Sequence, residues 1–145
     1  MRPLDRVLET VLYADDLEAA ERFYAGVLGL PLDSRQPGVF SFFRIGTSML
    51  LVFRASAARI DRGVPPHGAD GPGHVCFAVP EAELPAWKGR LEAAGFPIEH
   101  EHAWPRGGTS FYVRDPADNS VELATPRIWG MPEVFPDHPQ DEMPR

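Results

Sequence analysis

Residues 106–125 read RGGTSFYVRDPADNSVELAT. Thr109 to Arg114 alternates in the manner of a strand, Asp115-Pro116-Ala117-Asp118-Asn119 supplies turn chemistry, and Ser120 to Ala124 forms a second strand. Glu122 stands in that second strand between Val121 and Leu123. A carboxylate among apolar neighbours is costly unless something pairs with it. A divalent cation is one such partner; Arg114 or Arg44 is another.

Working outward, residues 97–102 form a further strand, residues 81–95 a helix with Pro85 confined to its opening turn, and residues 74–79 an apolar strand, HVCFAV. The first half follows the same plan. Residues 7–14 (VLETVLYA) form a strand, Asp16 caps a helix with apolar residues at 17, 20, 23, 24, 27 and 28, and Gly29 ends it. Strands at 31–35, 39–45 and 48–54 follow, with turns at Gln36-Pro37-Gly38 and Gly46-Thr47. Gly29-Leu30-Pro31-Leu32-Asp33 recurs as Gly95-Phe96-Pro97-Ile98-Glu99, and Ser48-Met49-Leu50-Leu51 aligns with Ser120-Val121-Glu122-Leu123. The chain is therefore βαβββ twice, with a period of roughly 65–70 residues. The fold class is α+β: two tandem units, 6–55 and 73–126, forming a curved, partly open mixed sheet with helices on the outer face. Residues 1–126 make one domain. The Gly- and Pro-rich stretch 56–72 is a linker or mobile loop, and 127–145 is a Pro-rich arm with disorder at its end, DHPQDEMPR.

The repeat places Glu9 and His74 at equivalent points on the first strand of each unit. Glu9 lies among Val7, Leu8, Val11 and Leu12, as on a strand buried on both faces. His74, Glu9 and Glu122 together are a ligand set for one divalent ion: Zn, Mn, Fe, Ni or Co. Glu122 aligns with Leu50, which has no donor, so three protein ligands leave positions open for water or substrate, as in catalytic metal sites. A hydrogen-bonded histidine and an arginine-paired glutamate are the bland alternatives. Cys76, within HVCFAV, reads as a small buried hydrophobe. Arg44, Arg106 and Arg114 are candidates for an anionic substrate. Ser110, Tyr112 and Arg114 share one strand face. Trp104, Pro105, Gly107 and Gly108 suit a substrate-lining loop, and His67 a lid. His100 and His102 share a face of a solvent-facing edge strand, with a second metal site as the less favoured reading.

The double βαβββ plan, the Asp16-Leu17 helix start, the Leu28-Gly29-Leu30 helix end and the DPADNSVEL turn and strand resemble the vicinal oxygen chelate superfamily. That superfamily includes glyoxalase I, extradiol dioxygenases, methylmalonyl-CoA epimerase and fosfomycin and bleomycin resistance proteins. The resemblance covers about residues 6–126. It implies metal ligands at Glu9 (usually His), His74 and Glu122, and a homodimer whose site is shared between chains. It implies a small-molecule substrate with neighbouring oxygens and a metal acting as Lewis acid, with Glu122 or Glu9 as the catalytic base. The fourth-strand carboxylate of glyoxalase I falls on Leu50, which departs from that pattern. Thiol addition to fosfomycin is an alternative, because Ser110-Phe111-Tyr112 before Arg114-Asp115-Pro116 resembles those proteins and would set Tyr112 on the substrate. Ring cleavage of the extradiol type ranks below it, since that chemistry uses two histidines and one carboxylate. A metal-free drug-binding dimer, as in bleomycin resistance relatives, would not call for donors at these positions. Arg106, Ser110, Tyr112 and Arg114 are the expected substrate contacts.

Composition narrows the rest. The 145 residues carry a formal charge of −7, which argues against a nucleic-acid partner with its need for a basic face. No apolar run reaches membrane-spanning length, so no membrane partner is expected. The opening MRPLDRVLET lacks a signal region, and the single cysteine fits a cytoplasmic location.

Overall fold

Asp16 accounts for the first helix: its Oδ1 accepts a hydrogen bond from the Ala19 N–H at 2.9 Å. The computed structural model describes residues 1–136. The final stretch, 137–145, expected to be disordered, lies outside the described residues. Helix α1 (Leu17–Glu21) follows strand β1 (Glu9–Tyr13) and runs on as a wider π-helical turn, Arg22–Val27. That turn is visible in the Leu28 N–H reaching back to the Phe23 carbonyl. Phe23 and Tyr24 inside it are both fully buried. Gly29, at φ 77°, releases the chain in a left-handed conformation that an L side chain resists.

Strands β2 (Leu32–Gln36), β3 (Phe40–Ile45) and β4 (Ser48–Phe53) complete the first unit. The second comprises β5 (His74–Ala78), a 3₁₀ turn at Glu81–Glu83, helix α3 (Leu84–Ala93), β6 (His100–Ala103), β7 (Thr109–Arg114) and β8 (Ser120–Ala124). Pro85 sits in the first turn of α3, where its missing N–H costs nothing. Between the units, a short helix α2 (Ala55–Ala58) forms in a stretch expected to be loop. After β8 the chain makes a 3₁₀ turn, Pro126–Trp129, rather than running extended from the strand.

Each unit builds one four-stranded mixed sheet, in the orders β1-β4-β3-β2 and β5-β8-β7-β6. The first strand pairs parallel with the last, and the other pairs are antiparallel. One face of each sheet, with α1 and α3, forms a single shared core. It joins Leu12, Phe23, Phe43, Leu50 and Val52 of the first unit to Leu91, Phe111, Val113, Val121 and Leu123 of the second. Phe23 meets Phe96 edge-on at 4.8 Å across the junction.

A buried polar node ties the units at their edges. The Tyr24 hydroxyl donates to Asp115 at 2.7 Å, and Asn119 donates to both Asp115 and the Tyr13 carbonyl. The Asn119 Oδ1 accepts from the Gly73 N–H at 2.8 Å. Burial, and then the Asp115 charge, push the Tyr24 phenol far above its ordinary range, so it stays a donor. A Cβ on Gly73 would approach the Leu12 side chain to 3.0 Å, so β5 starts tightly against the first unit.

The hydrogen-bond register corrects the repeat by one residue. The Met49 N–H bonds to the Leu8 carbonyl as the Ser120 N–H bonds to that of Gly73. Val11 lies opposite Leu51 just as Cys76 lies opposite Glu122. The counterpart of Glu122 is thus Leu51 and not Leu50, which faces the core fully buried. Leucine offers no donor at either position.

Candidate metal centre

The alternation of β5 sends Val75 and Phe77 toward the core and leaves His74 and Cys76 on the opposite face. Glu122 stands directly across from Cys76 on β8, and Tyr112 directly across from Glu122 on β7. Imidazole, thiol and phenol therefore surround one carboxylate. The Glu122 residue is only 5% exposed, and its Oε1 is buried with no hydrogen-bond partner. Its Oε2 lies 3.4 Å from His74 Nε2.

The other ring nitrogen explains what that distance means. His74 Nδ1 is 3.0 Å from the Ser120 carbonyl, which can only accept, so Nδ1 carries the hydrogen. In the neutral ring, Nε2 then directs a lone pair at a carboxylate oxygen. A bound cation, or a second proton, is what makes the pair attractive. Two donors each about 2.1 Å from one ion at a tetrahedral angle stand about 3.4 Å apart. The backbone-held imidazole, the spare carboxylate oxygen and this spacing fit a divalent ion of the zinc, manganese, iron, nickel or cobalt type.

Two neighbours respond to the carboxylate. Burial, and then the Glu122 charge, push the Cys76 thiol up to about 12. The Tyr112 phenol is also raised, by burial first and by the nearby Glu122 carboxylate next. Both stay protonated at neutral pH beside the carboxylate. The Cys76 residue as a whole is exposed, even though neighbouring atoms crowd its thiol, and it is not the buried hydrophobe expected of HVCFAV. An all-apolar neighbourhood in sequence conceals which face of the strand is open.

Glu9 does not join this cluster within one chain. Among the described residues, no three His, Cys, Asp or Glu side chains have the geometry to hold a metal. Glu9 is exposed at the very start of β1, preceded by Val7 and Leu8 at 70% and 59% exposure. The strand is thus not buried on both sides there. The expected substrate contacts are largely engaged elsewhere. Arg114 binds Glu99 through two nitrogens, at 2.7 and 3.2 Å, and also donates to the Asp118 carbonyl. The Ser110 hydroxyl is buried and accepts from the Trp104 indole at 2.9 Å. Arg106 donates to the Trp129 carbonyl at 3.3 Å. Arg44 pairs with Asp33 at 2.8 Å. Only Tyr112 of the set stands opposite Glu122 on the neighbouring strand.

The opposite unit presents an aromatic face. Phe40 stacks on Phe42 at 4.0 Å, Phe53 packs edge-on to Phe42, and His67 packs edge-on to Phe53. His67 Nδ1 is 2.5 Å from the Tyr13 hydroxyl, so the inter-unit loop folds back onto the first sheet. The alternation of Phe40 and Phe42 in sequence is the signal that could have revealed part of this cluster.

A family model described as Glyoxalase/Bleomycin resistance protein/Dioxygenase superfamily matches residues 6–123. A lactoylglutathione lyase from Agrobacterium tumefaciens is 46% identical, with a TM-score of 0.86 over 90% of this chain and 100% of that one. A glyoxalase-related enzyme from Fulvimarina pelagi is 29% identical, with a TM-score of 0.68 over 84% of this chain and 88% of that one. A glyoxalase/bleomycin resistance protein/dioxygenase from Nocardioides is 25% identical, with a TM-score of 0.68 over 86% and 85%. No curated protein matches. Among the described residues no helix is long and apolar enough to cross a membrane.

Proposed function

The chain belongs to the Glyoxalase/Bleomycin resistance protein/Dioxygenase superfamily, and on that premise we propose that it is a divalent-metal-dependent, glyoxalase-like lyase. The reading fits a cytoplasmic enzyme. The observation that carries it is the buried Glu122 carboxylate, with one oxygen opposite His74 Nε2 and the other unpaired. The substrate class in this reading is the adduct of a thiol with a small 2-oxoaldehyde, which the similarity to a lactoylglutathione lyase from Agrobacterium supports.

His74 and Glu122 would hold the ion in this chain. Bound there, a divalent cation supplies Lewis-acid stabilisation to the two neighbouring substrate oxygens. The protein's own part is the proton transfer. The Glu122 carboxylate, one oxygen of which makes no hydrogen bond, removes the proton from the carbon bearing sulfur and oxygen and returns it to the adjacent carbon. The Ser120 carbonyl keeps the His74 ring from turning. The Tyr112 phenol, kept protonated, donates toward the carboxylate and steadies its charge.

Glu9 completes the set from a second copy. It is exposed on the open face of the first unit beside Val11 and Tyr13, so it can reach the Glu122 face of a partner in a homodimer. Mixing tests this. Glu9→Gln and Glu122→Gln should each be inactive in the thiol–methylglyoxal isomerisation assay. Mixed dimers of the two carry one intact site, so the mixture should recover roughly a quarter of native activity. Absence of recovery, with subunit exchange shown by mass spectrometry, would remove Glu9 from the site. Fewer than one ion per two chains after metal loading would remove the metal itself.

A further inference from the structure

The end strand β6 carries His100 and His102, two residues apart, and both are exposed in the single chain. Alternation puts them on one face of the sheet. Their rings stand 5.9 Å apart, centroid to centroid, and neither makes a hydrogen bond among the described residues. No backbone carbonyl or carboxylate holds either ring, so the ring nitrogens have no competing hydrogen-bond partner among the described residues. The neighbouring groups are committed elsewhere. Glu101 pairs with Lys88, Glu99 with Arg114, and Ser110, opposite His102, with Trp104. Tyr112, opposite His100, stands between this pair and His74, with its ring 6.0 Å from His100 and 6.2 Å from His74. The pair is thus set apart from the Glu122 carboxylate by an aromatic ring.

We infer that His100 and His102 form a second cation site, chelating a late first-row divalent ion, copper(II) above others, through two imidazoles on one strand face. Neutral imidazole donors without a carboxylate favour copper, nickel and zinc over magnesium and calcium, and copper binds tightest in that order. Two protein donors leave further positions for water or an oxygen ligand. The Trp104 ring, 4.5 Å from His102, stands beside the ion and reports its arrival.

Full-length Glu122→Gln protein, which leaves the first site without its carboxylate, is titrated with copper(II) chloride above pH 7. Tryptophan emission should fall and level off at one ion per chain. Paramagnetic resonance of the copper should show coupling to two imidazole nitrogens. His102→Ala should leave one coupled nitrogen and raise the half-quenching concentration roughly tenfold or more. Trp104→Phe should remove most of the quenching while the two-nitrogen copper signal persists. The exposure of both histidines keeps the fold intact in these variants, which circular dichroism checks. Unchanged half-quenching in the His100→Ala/His102→Ala double variant overturns the site, as does failure of the Glu122→Gln protein to bind copper. Neither result bears on Glu9, His74 and Glu122.

Discussion

The two units share a backbone and differ in what they place at one register position. On the open face of the first sheet that position holds Leu51; on the second it holds Glu122. Leu51 and Glu122 are almost equally buried, at 7% and 5%. Around Leu51 the neighbours are Val11, Phe42 and Phe53; around Glu122 they are Cys76, Tyr112 and His74. The same architecture therefore carries hydrophobic contact in one unit and a polar cluster around a carboxylate in the other. Burial alone does not separate the two. The unsatisfied oxygen does.

The largest expected effect comes from removing the feature that distinguishes the second face. Glu122→Gln keeps shape and burial but loses the base, so activity should fall about 10²- to 10⁴-fold. Measuring kcat/KM beside a thermal melt checks this, and full activity would break the comparison. Next, Leu51→Glu copies the second face onto the first without its imidazole, thiol and phenol. An unpaired carboxylate there should cost about 2–4 kcal/mol in urea unfolding. Glu122→Leu makes the faces alike in the other direction. In metal-free protein it should raise stability by about 1–3 kcal/mol while abolishing activity, because a buried unpaired oxygen disappears.

The smallest effect concerns how the chain leaves the second unit. Glu133 accepts from the Thr125 hydroxyl and the Glu81 N–H, and these hold its carboxyl below the usual carboxylate range, the hydroxyl contributing most. A carboxyl lowered on folding stabilises the attached state above its free value. That contribution fades as pH falls from 4.5 through the lowered value. Trp129, exposed beside this attachment, should change its emission over that acid range, and Glu133→Gln should abolish the change.

The fold was legible because its punctuation is chemical: Asp16 caps, Gly29 stops a helix, Pro85 starts one, and DPADN turns the chain. The α+β class and the double unit followed from these. The π-helical turn at Arg22–Val27 was not legible, since its apolar spacing is that of an ordinary helix. The slip between Leu50 and Leu51 has a similar origin. Two adjacent leucines give no parity, and the turns before β4 and β8 differ in length, so aligning Ser48 with Ser120 shifted one face onto the other. His74 and Glu122 were readable as donors within apolar strands. Cys76 and Tyr112 were not readable as their neighbours, because cross-strand register decides that. Glu9 looked buried only because Val7 and Leu8 are apolar; the sheet begins one residue after them.

The Asn119 node bears on how this chain reaches its native state. It joins the turn before β8 to the Tyr13 carbonyl, 106 residues earlier, while Tyr24 reaches Asp115 across 91. A nascent first unit therefore has an unfilled socket at its edge until most of the polypeptide has been made. Long-range closures of this kind slow folding relative to local ones. The two halves are copies in design yet not autonomous in assembly. Cutting the chain in the 56–72 segment should yield fragments that order only when both are present.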